Sequence, residues 1–584
     1  MSRLHRAPVA VVVALLTAGL LAGCVAMPDS GPVVESQARG GDTAGGGTYF
    51  NPKPPQAGDT RADIVRGFLV AMRATPIQTN TAREFLTKDA AAAWSPDETV
   101  TYAGYPKVAE TAAGVSVALA EPDHIDAQGA WQGPLARSQR TVSFPMAIED
   151  GEWRIDSAPD ALIVPETWFA TRFQQVSLYF FDPTVQTLVP EPVYVQGGKQ
   201  LASTLTQALL LGPSEGLDRV VKSFVPPGLT INLSVPISAD GVAAIGLKGD
   251  AGQLSAESIE LMMAQFAWTL RQDPRIEAFK VTINDDPVTL PGGVSAYRVD
   301  GGAQYDPAGF QASPLLYGLR GGLLSSGTGG TLAPVSGPLG SAQLGLRSVA
   351  VSVTAEQAAG VADDGRSLVV GPVSSSDGAT ADTVLTGARS LLRPGWDFAD
   401  RLWVVDRTAD GAAVSWIRNG TTHPLNVPGI SGTRVRSFVI SRDGSRLVAV
   451  VRRKGGDELR VSRIAHNRNG RVLWATPARP ISEAPDSDLP VRAISWRSTT
   501  TLAILSPFGA SDNLVQLRTA SVDGSPAAEG SSTTIEYGLR DLAGSPDPED
   551  PLYGANRQIL VNLSARARPT DPLADGTTEI GYVG

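Results

Sequence analysis

The sequence predicts a multidomain, mostly β protein in which two small α+β domains precede an all-β propeller of five or six blades. Three observations lead there. At 584 residues the chain is several times the usual length of one domain. Gly and Pro are abundant, at 61 and 43 residues, so turns are frequent and long helices are few. Beyond Tyr305 helical spacing disappears, and an apolar residue followed by arginine recurs as Leu346-Arg347, Leu392-Arg393, Val435-Arg436, Val491-Arg492 and Leu539-Arg540. Successive arginines lie 46, 43, 56 and 48 residues apart, close to the period of about 40 to 50 that a four-stranded propeller blade requires.

The chain opens with a basic stretch, Arg3, His5 and Arg6, and an apolar run over 8–16 with Leu20 and Leu21. That length suits an export signal rather than a membrane span of about 20 residues. It ends in Leu21-Ala22-Gly23-Cys24, which holds the protein's one cysteine. The string resembles the lipobox of bacterial lipoproteins, in which the thiol receives a diacylglyceryl group, cleavage falls between Gly23 and Cys24, and the new amino terminus is acylated. Several acyl chains on one residue give stable attachment, where a single chain holds only weakly. The alternatives are a plain cleaved signal with a chance cysteine, or an uncleaved anchor helix. Loss of residues 1–23 removes two arginines and no acid, taking the formal charge from -10 to -12. Residues 24–58, with Gly45-Gly46-Gly47 and Asn51-Pro52-Lys53-Pro54-Pro55, read as the lipidated cysteine and a flexible tether.

The first folded domain is expected over 59–170. Asp59 or Thr60 can cap a helix whose buried face is Ile64, Val65, Phe68, Leu69 and Met72, with Pro76 as its stop. A second helix is expected over 82–94, then strands over 115–119 and 141–148, a turn at Glu149-Asp150-Gly151-Glu152, and a returning strand over 153–155. Helices followed by a curved hairpin sheet resemble the nuclear-transport-factor-2-like cone.

The second domain, over 171–304, opens with the strand 176–182. A helix over 199–211 ends at Gly212-Pro213, strands follow over 230–237 and 242–247, Ser255 caps a helix with Ile259, Met262, Met263, Phe266 and Leu270 on its buried face, and 278–283 is the last strand. This order, the LLLGP string and the closing VTIND resemble the GerMN domain of germination and spore-formation proteins.

The propeller is expected over 305–584. Within a repeat a turn such as Ser441-Arg442-Asp443-Gly444-Ser445-Arg446 joins two strands, with Asp363-Asp364-Gly365-Arg366 and Asp410-Gly411 as related turns. The hairpin 315–337 lacks a first strand and can share a blade with the C-terminal strand, closing the ring. A pair of β-sandwiches is the competing arrangement.

Chemistry is hard to find. One cysteine excludes disulfides and thiolate zinc sites, and His5, His124, His423 and His466 are too scattered to read as a metal centre. Gly212-Pro213-Ser214-Glu215-Gly216 matches the nucleophile elbow of hydrolases, but that elbow needs a strand before the serine and here a helix precedes it. No lysine has serine three residues before it, and phosphate-loop, zinc-protease and calcium-loop strings are lacking. Glu121-Pro122-Asp123-His124-Ile125-Asp126 can offer ligands to a metal but reads more simply as a solvated turn, as does Asn284-Asp285-Asp286-Pro287. With 49 basic against 59 acidic residues and no basic face in view, nucleic acid is not an expected partner. The expectation is a non-enzyme without cofactor or metal.

Taken together, the lipobox, tether, two α+β domains and propeller, with the strings 315–340 and 439–451, resemble the LpqB family of actinobacterial lipoproteins. The resemblance implies a lipid-anchored protein on the extracytoplasmic face of the cell membrane. Its implied role is that of an accessory contacting the extracellular domain of a sensor histidine kinase of the MtrAB type and tuning signalling linked to the envelope and cell division. Only Cys24 carries over as a site residue. A cell-wall ligand binder, with the GerMN-like unit gripping peptidoglycan, is the alternative, and an exported propeller hydrolase a third. Mass spectrometry of the mature amino terminus is expected to find a diacylglyceryl-modified, N-acylated Cys24; an unmodified thiol there excludes the lipoprotein reading.

Overall fold

The computed structural model describes residues 50–375, 379–481, 490–509, 512–526 and 532–584. The expected export signal, Gly23, Cys24 and the expected tether up to residue 49 lie outside the described residues. The end of the expected tether is a correction: Phe50 and Thr75 exchange backbone hydrogen bonds, Pro52 is buried and the Gly58 N–H donates to Glu152. Those pairings fix residues 50–58 against the domain that composition alone assigned them to precede.

The helix Arg61–Ala71 starts at Thr60, whose hydroxyl accepts from the Asp63 N–H, and buries Ile64, Val65, Phe68 and Leu69. It ends before Pro76, with Met72 as cap. The helical run expected over 82–94 is instead two short helices, Asn80–Arg83 and Lys88–Ala93, because Thr87 starts a new one by accepting from the Ala90 N–H. These helices lie against a six-stranded sheet in which Gly114–Ile125 is central, flanked by Glu98–Thr111 and Thr141–Glu149. Phe68 anchors the core, 5.3 Å from the Trp94 ring and 6.0 Å from Phe144. The segment 121–126 is a second correction: it is no solvated turn but the end of Gly114–Ile125, paired with Glu98–Thr111 and Trp131–Pro134, with Pro122 and Ile125 buried.

A hairpin of Phe173–Phe181 and Leu188–Gln196 opens the second domain. The helix Leu201–Leu211 stops at Gly212, whose φ of 79° suits glycine. Val242–Lys248 and Ala278–Ile283 pair in parallel, joined by the helix Ala256–Leu270, which Ser255 caps. The strand expected over 230–237 survives only as Thr230–Ile231 and a bridge at Ile237. Between them Pro236 has no N–H to offer, and the Val235 N–H donates to Ser203 Oγ instead of a neighbouring strand. Leu205, Leu209, Val193, Phe266 and Phe279, all essentially inaccessible, form one core with the hairpin.

The C-terminal region is a propeller. Among the described residues six antiparallel sheets carry at least four strands each, and their first strands are neighbours in sequence around a ring: Leu346–Val351, Gly395–Trp396, Val435–Ile440, Ala493–Trp496, Asp541–Ala543 and Thr577–Gly581. The last of these pairs with Leu316–Arg320, so the hairpins after residue 315 and the C-terminal strand share one sheet and close the ring. A pair of sandwiches has no such closure.

The domains are joined through the hairpin. Its Glu191, 4% exposed, receives Arg463 Nη2 at 2.6 and 2.7 Å and Arg446 Nη2 at 2.9 Å, both from the propeller. Arg446 also donates to the Pro190 carbonyl, and Gln175 Nε2 lies within 3.1 Å of Ser521, Asp523 and Ser525. On the other side, the Tyr194 N–H donates to the Gly129 carbonyl at 2.7 Å, and the Tyr194 ring lies 5.1 Å from Phe169. Gly129, with φ 81°, is required there: a Cβ would come 2.5 Å from the Tyr194 carbonyl oxygen.

Burial alone would raise the Glu191 pKa, but Arg463 and then Arg446 outweigh it and hold the group below its ordinary 4.5. A depressed carboxylate contributes stability that is present above 4.5 and lost as pH falls through the lower folded value. Replacing Glu191 with Gln strands the buried Arg446 and the partly buried Arg463, and chemical denaturation is expected to show a loss of about 3 to 5 kcal/mol at neutral pH. In acid the gap between the native protein and Glu191→Gln should close; a gap independent of pH counts against the charge pairing.

Candidate functional site

The apolar-arginine pairs that mark the repeat also border a cavity on the propeller axis. Each apolar member is buried between sheets: Leu346, Leu392, Val435, Val491 and Leu539 are all at most 9% exposed. Two of the arginines sit where the ladder slips, Arg347 between Leu346 and Ser348 and Arg436 between Val435 and Ser437, and the other three lie just before the first strand of their sheets. Arg347, Arg393, Arg436, Arg492 and Arg540 all line one axial cavity of about 650 Å³, each from a different sheet or the segment leading into it, and Thr578 lines it from the sixth. With Arg407, Arg442 and Arg557, eight arginines line this cavity against two acidic residues, Asp541 and Glu579. The expectation of no basic face is thus corrected. The total charge of -10 conceals a concentrated positive site, because residues spaced some 50 apart in sequence meet only when the ring closes.

Part of this arrangement serves the scaffold. Arg393 donates to the carbonyls of Val349 at 3.1 Å and Ile580 at 3.3 Å, Arg492 to that of Leu539 at 3.1 Å, and Arg347 to that of Leu391, each tying neighbouring sheets together. Arg436 pairs instead with Asp457 at 3.1 Å, and it and Arg540 are exposed. Among the described residues, no side-chain hydrogen bond or ion pair engages Arg540. The Ser348 Oγ, on a residue 4% exposed that lines the same cavity, also has no partner among the described residues.

The acids are weakened. Burial first, and Asp541 in addition, push Glu579 up to about 7 although Arg393 opposes the shift. Burial likewise raises Asp541. The far end of the cavity is closed by the chain terminus: Arg442 donates to the Val583 carbonyl at 3.2 and 3.0 Å and to Ala308 at 2.7 Å, and the Gly584 N–H bonds the Val351 carbonyl. Burial brings Arg442 down to about 10, which leaves it charged at neutral pH.

The residues weighed from sequence lie elsewhere. Ser214 is buried in a turn that follows the helix Leu201–Leu211, with no strand leading into it. His124 bonds Glu98 at 2.9 Å, His423 stacks on Trp416 with ring centroids 4.1 Å apart, and His466 is buried in the propeller; His5 is outside the described residues. Asp126 accepts from Gln128, Ala130 and Gln132, and Asp123, pushed up to about 6 by burial, sits beside it on the strand. Asn284 and Asp285, both with positive φ, form the expected turn after Ala278–Ile283. Among the described residues no group of three or more His, Cys, Asp or Glu side chains could hold a metal, and no helix is long and apolar enough to cross a membrane. The arginines were visible in sequence as a period marker. Their shared position relative to a buried residue was the signal that they face one place.

Family models match three stretches: "Lipoprotein LpqB, N-terminal domain" over residues 54–170, "Sporulation and spore germination" over 177–289, and "Lipoprotein LpqB beta-propeller domain" over 321–570. Proteins named Lipoprotein LpqB are similar along nearly the whole length. The one from Streptomyces coelicolor is 29% identical, covering 93% of both chains, and the one from Thermobifida fusca 27% identical, covering 94% of both. Among solved structures, the first GerMN domain of the sporulation protein GerM from Bacillus subtilis is 22% identical over 21% of this chain and 92% of its own, with a TM-score of 0.18. With all three stretches matched in order and relatives aligned nearly end to end, the chain belongs to the LpqB family of lipoproteins.

Proposed function

We propose that the protein is a lipoprotein held by Cys24 to the extracytoplasmic face of the cell membrane, where it acts as a binding accessory of a sensor histidine kinase of the MtrAB type, in signalling linked to the envelope and cell division. The observation that supports a binding role most is the joining of three domains into one contact unit by buried contacts at Glu191 and Tyr194, with a propeller end left open. A rigid body on a lipid anchor confines the search for a partner to one membrane surface and raises its effective concentration. A propeller fold by itself does not decide against catalysis. The lack of a recognisable catalytic constellation among the described residues favours binding.

Photo-crosslinkers at the open end, for example in place of exposed Arg557, are expected to capture the kinase's extracellular domain in intact cells. Recovery of no kinase from any such position counts against the reading. Co-sedimentation of the mature chain with purified peptidoglycan, without kinase capture, would favour the cell-wall alternative.

A further inference from the structure

We propose that the axial cavity of the propeller binds a small soluble molecule bearing several phosphate groups. Five arginines, each from a different sheet or the segment leading into it, line one cavity of about 650 Å³. That volume lies within the range of about 300 to 1,000 Å³ typical of small-molecule sites. Gathering like charges in one concave space is unfavourable for the scaffold alone, and a cleft lined by one sign of charge focuses its field on ions of the other. Stapling of neighbouring sheets accounts for Arg347, Arg393 and Arg492, and Arg436 is held by Asp457, which also accepts from the Val491 N–H leading into the next sheet, but Arg540 makes no such contact among the described residues. Even the stapling arginines use only part of a guanidinium's five donors.

Ser348 supplies an independent pointer to a polar ligand. Its hydroxyl is buried and unpartnered among the described residues, and it lines the same cavity. A hydroxyl left without a partner in a buried place costs free energy that a bound oxygen would recover. The disposition of the arginines selects the ligand class. A lone carboxylate engages one or two guanidinium groups, whereas phosphate oxygens project in several directions and accept from donors placed around a ring. The arginine end of the ring is the one the hairpin leaves free. In the strand pair Val435–Ile440 and Arg446–Arg452, Val435 faces Val451 and Ile440 faces Leu447. Arg436 is therefore at one end of the propeller, and Arg446, bonded to Glu191, is at the other. The cavity opens away from the docked hairpin.

The inference does not depend on the kinase reading, and failed kinase capture leaves it standing. Titration calorimetry of the full mature chain in detergent with tripolyphosphate is expected to show saturable one-to-one binding that weakens as salt rises. Arg436→Gln and Arg540→Gln should each weaken it about tenfold, consistent with the loss of one charge-assisted hydrogen bond. Arg66→Gln, at an exposed position of the helix Arg61–Ala71 where it pairs with Asp63, should change nothing. Hydrogen exchange on the unaltered protein provides a second readout: tripolyphosphate should protect Val435–Ile440. No saturable binding, equal affinity for citrate, equal effects of all three substitutions, protection elsewhere only, or binding seen solely with phosphatidylglycerol vesicles would each overturn the proposal.

Discussion

The Glu191 carboxylate sits out of water between Arg446 and Arg463, and that contact, with the Pro190 and Gln175 bonds beside it, joins the second domain to the propeller. The hairpin that carries Glu191 has a face in the core with Leu205 and Phe266, an end against Tyr194's neighbours in the first domain, and Glu191 in the propeller. A buried ion pair contributes little compared with an apolar substitute, but it discriminates strongly between one docking geometry and any other, since a misaligned hairpin leaves charges unpaired. Fixing the hairpin at one end of the propeller also decides which end remains accessible. The arginine-lined end is the open one because the other is occupied by the hairpin and by the C-terminal residues under Arg442.

What could be read from sequence divides along the range of the interactions involved. The capped helix at Thr60, the helix ended by Gly212, the helix capped by Ser255 and the first strands of the propeller sheets depend on neighbours in sequence, and their patterns are legible. Ring closure was legible as well, because a hairpin without a first strand and a leftover last strand imply each other. Partners far apart in sequence were not. Arg442 and Arg446 look like exposed turn residues within Ser441-Arg442-Asp443-Gly444-Ser445-Arg446, yet both are 2% exposed. The partner of Arg446, Glu191, is 255 residues away, and that of Arg442, the Val583 carbonyl, is 141 residues away. The irregular stretch between Thr230 and Ile237 escaped for the same reason: its alternation suits a strand, and only the Ser203 hydroxyl, 32 residues back, diverts the Val235 N–H.

The two buried glutamates near arginines show how contact, rather than proximity, decides the state of a carboxyl group. Glu191 touches two guanidinium groups and is held below its ordinary pKa. Glu579 accepts only from the Val349 N–H at 3.3 Å, with no ion pair among the described residues, and burial pushes it up to about 7. Their effects on stability have opposite signs. The Glu191 contribution is present above 4.5 and lost in acid. A raised carboxyl stabilises the fold while protonated, and that contribution declines as pH climbs from 4.5 through about 7, a loss on the order of 3 kcal/mol. At neutral pH, then, the joint between domains is where charge supports the fold, and the axial cavity is where charge opposes it. Stability gathered at a scaffold contact and strain gathered in a cavity is the distribution expected when the cavity is shaped for something other than holding the scaffold together.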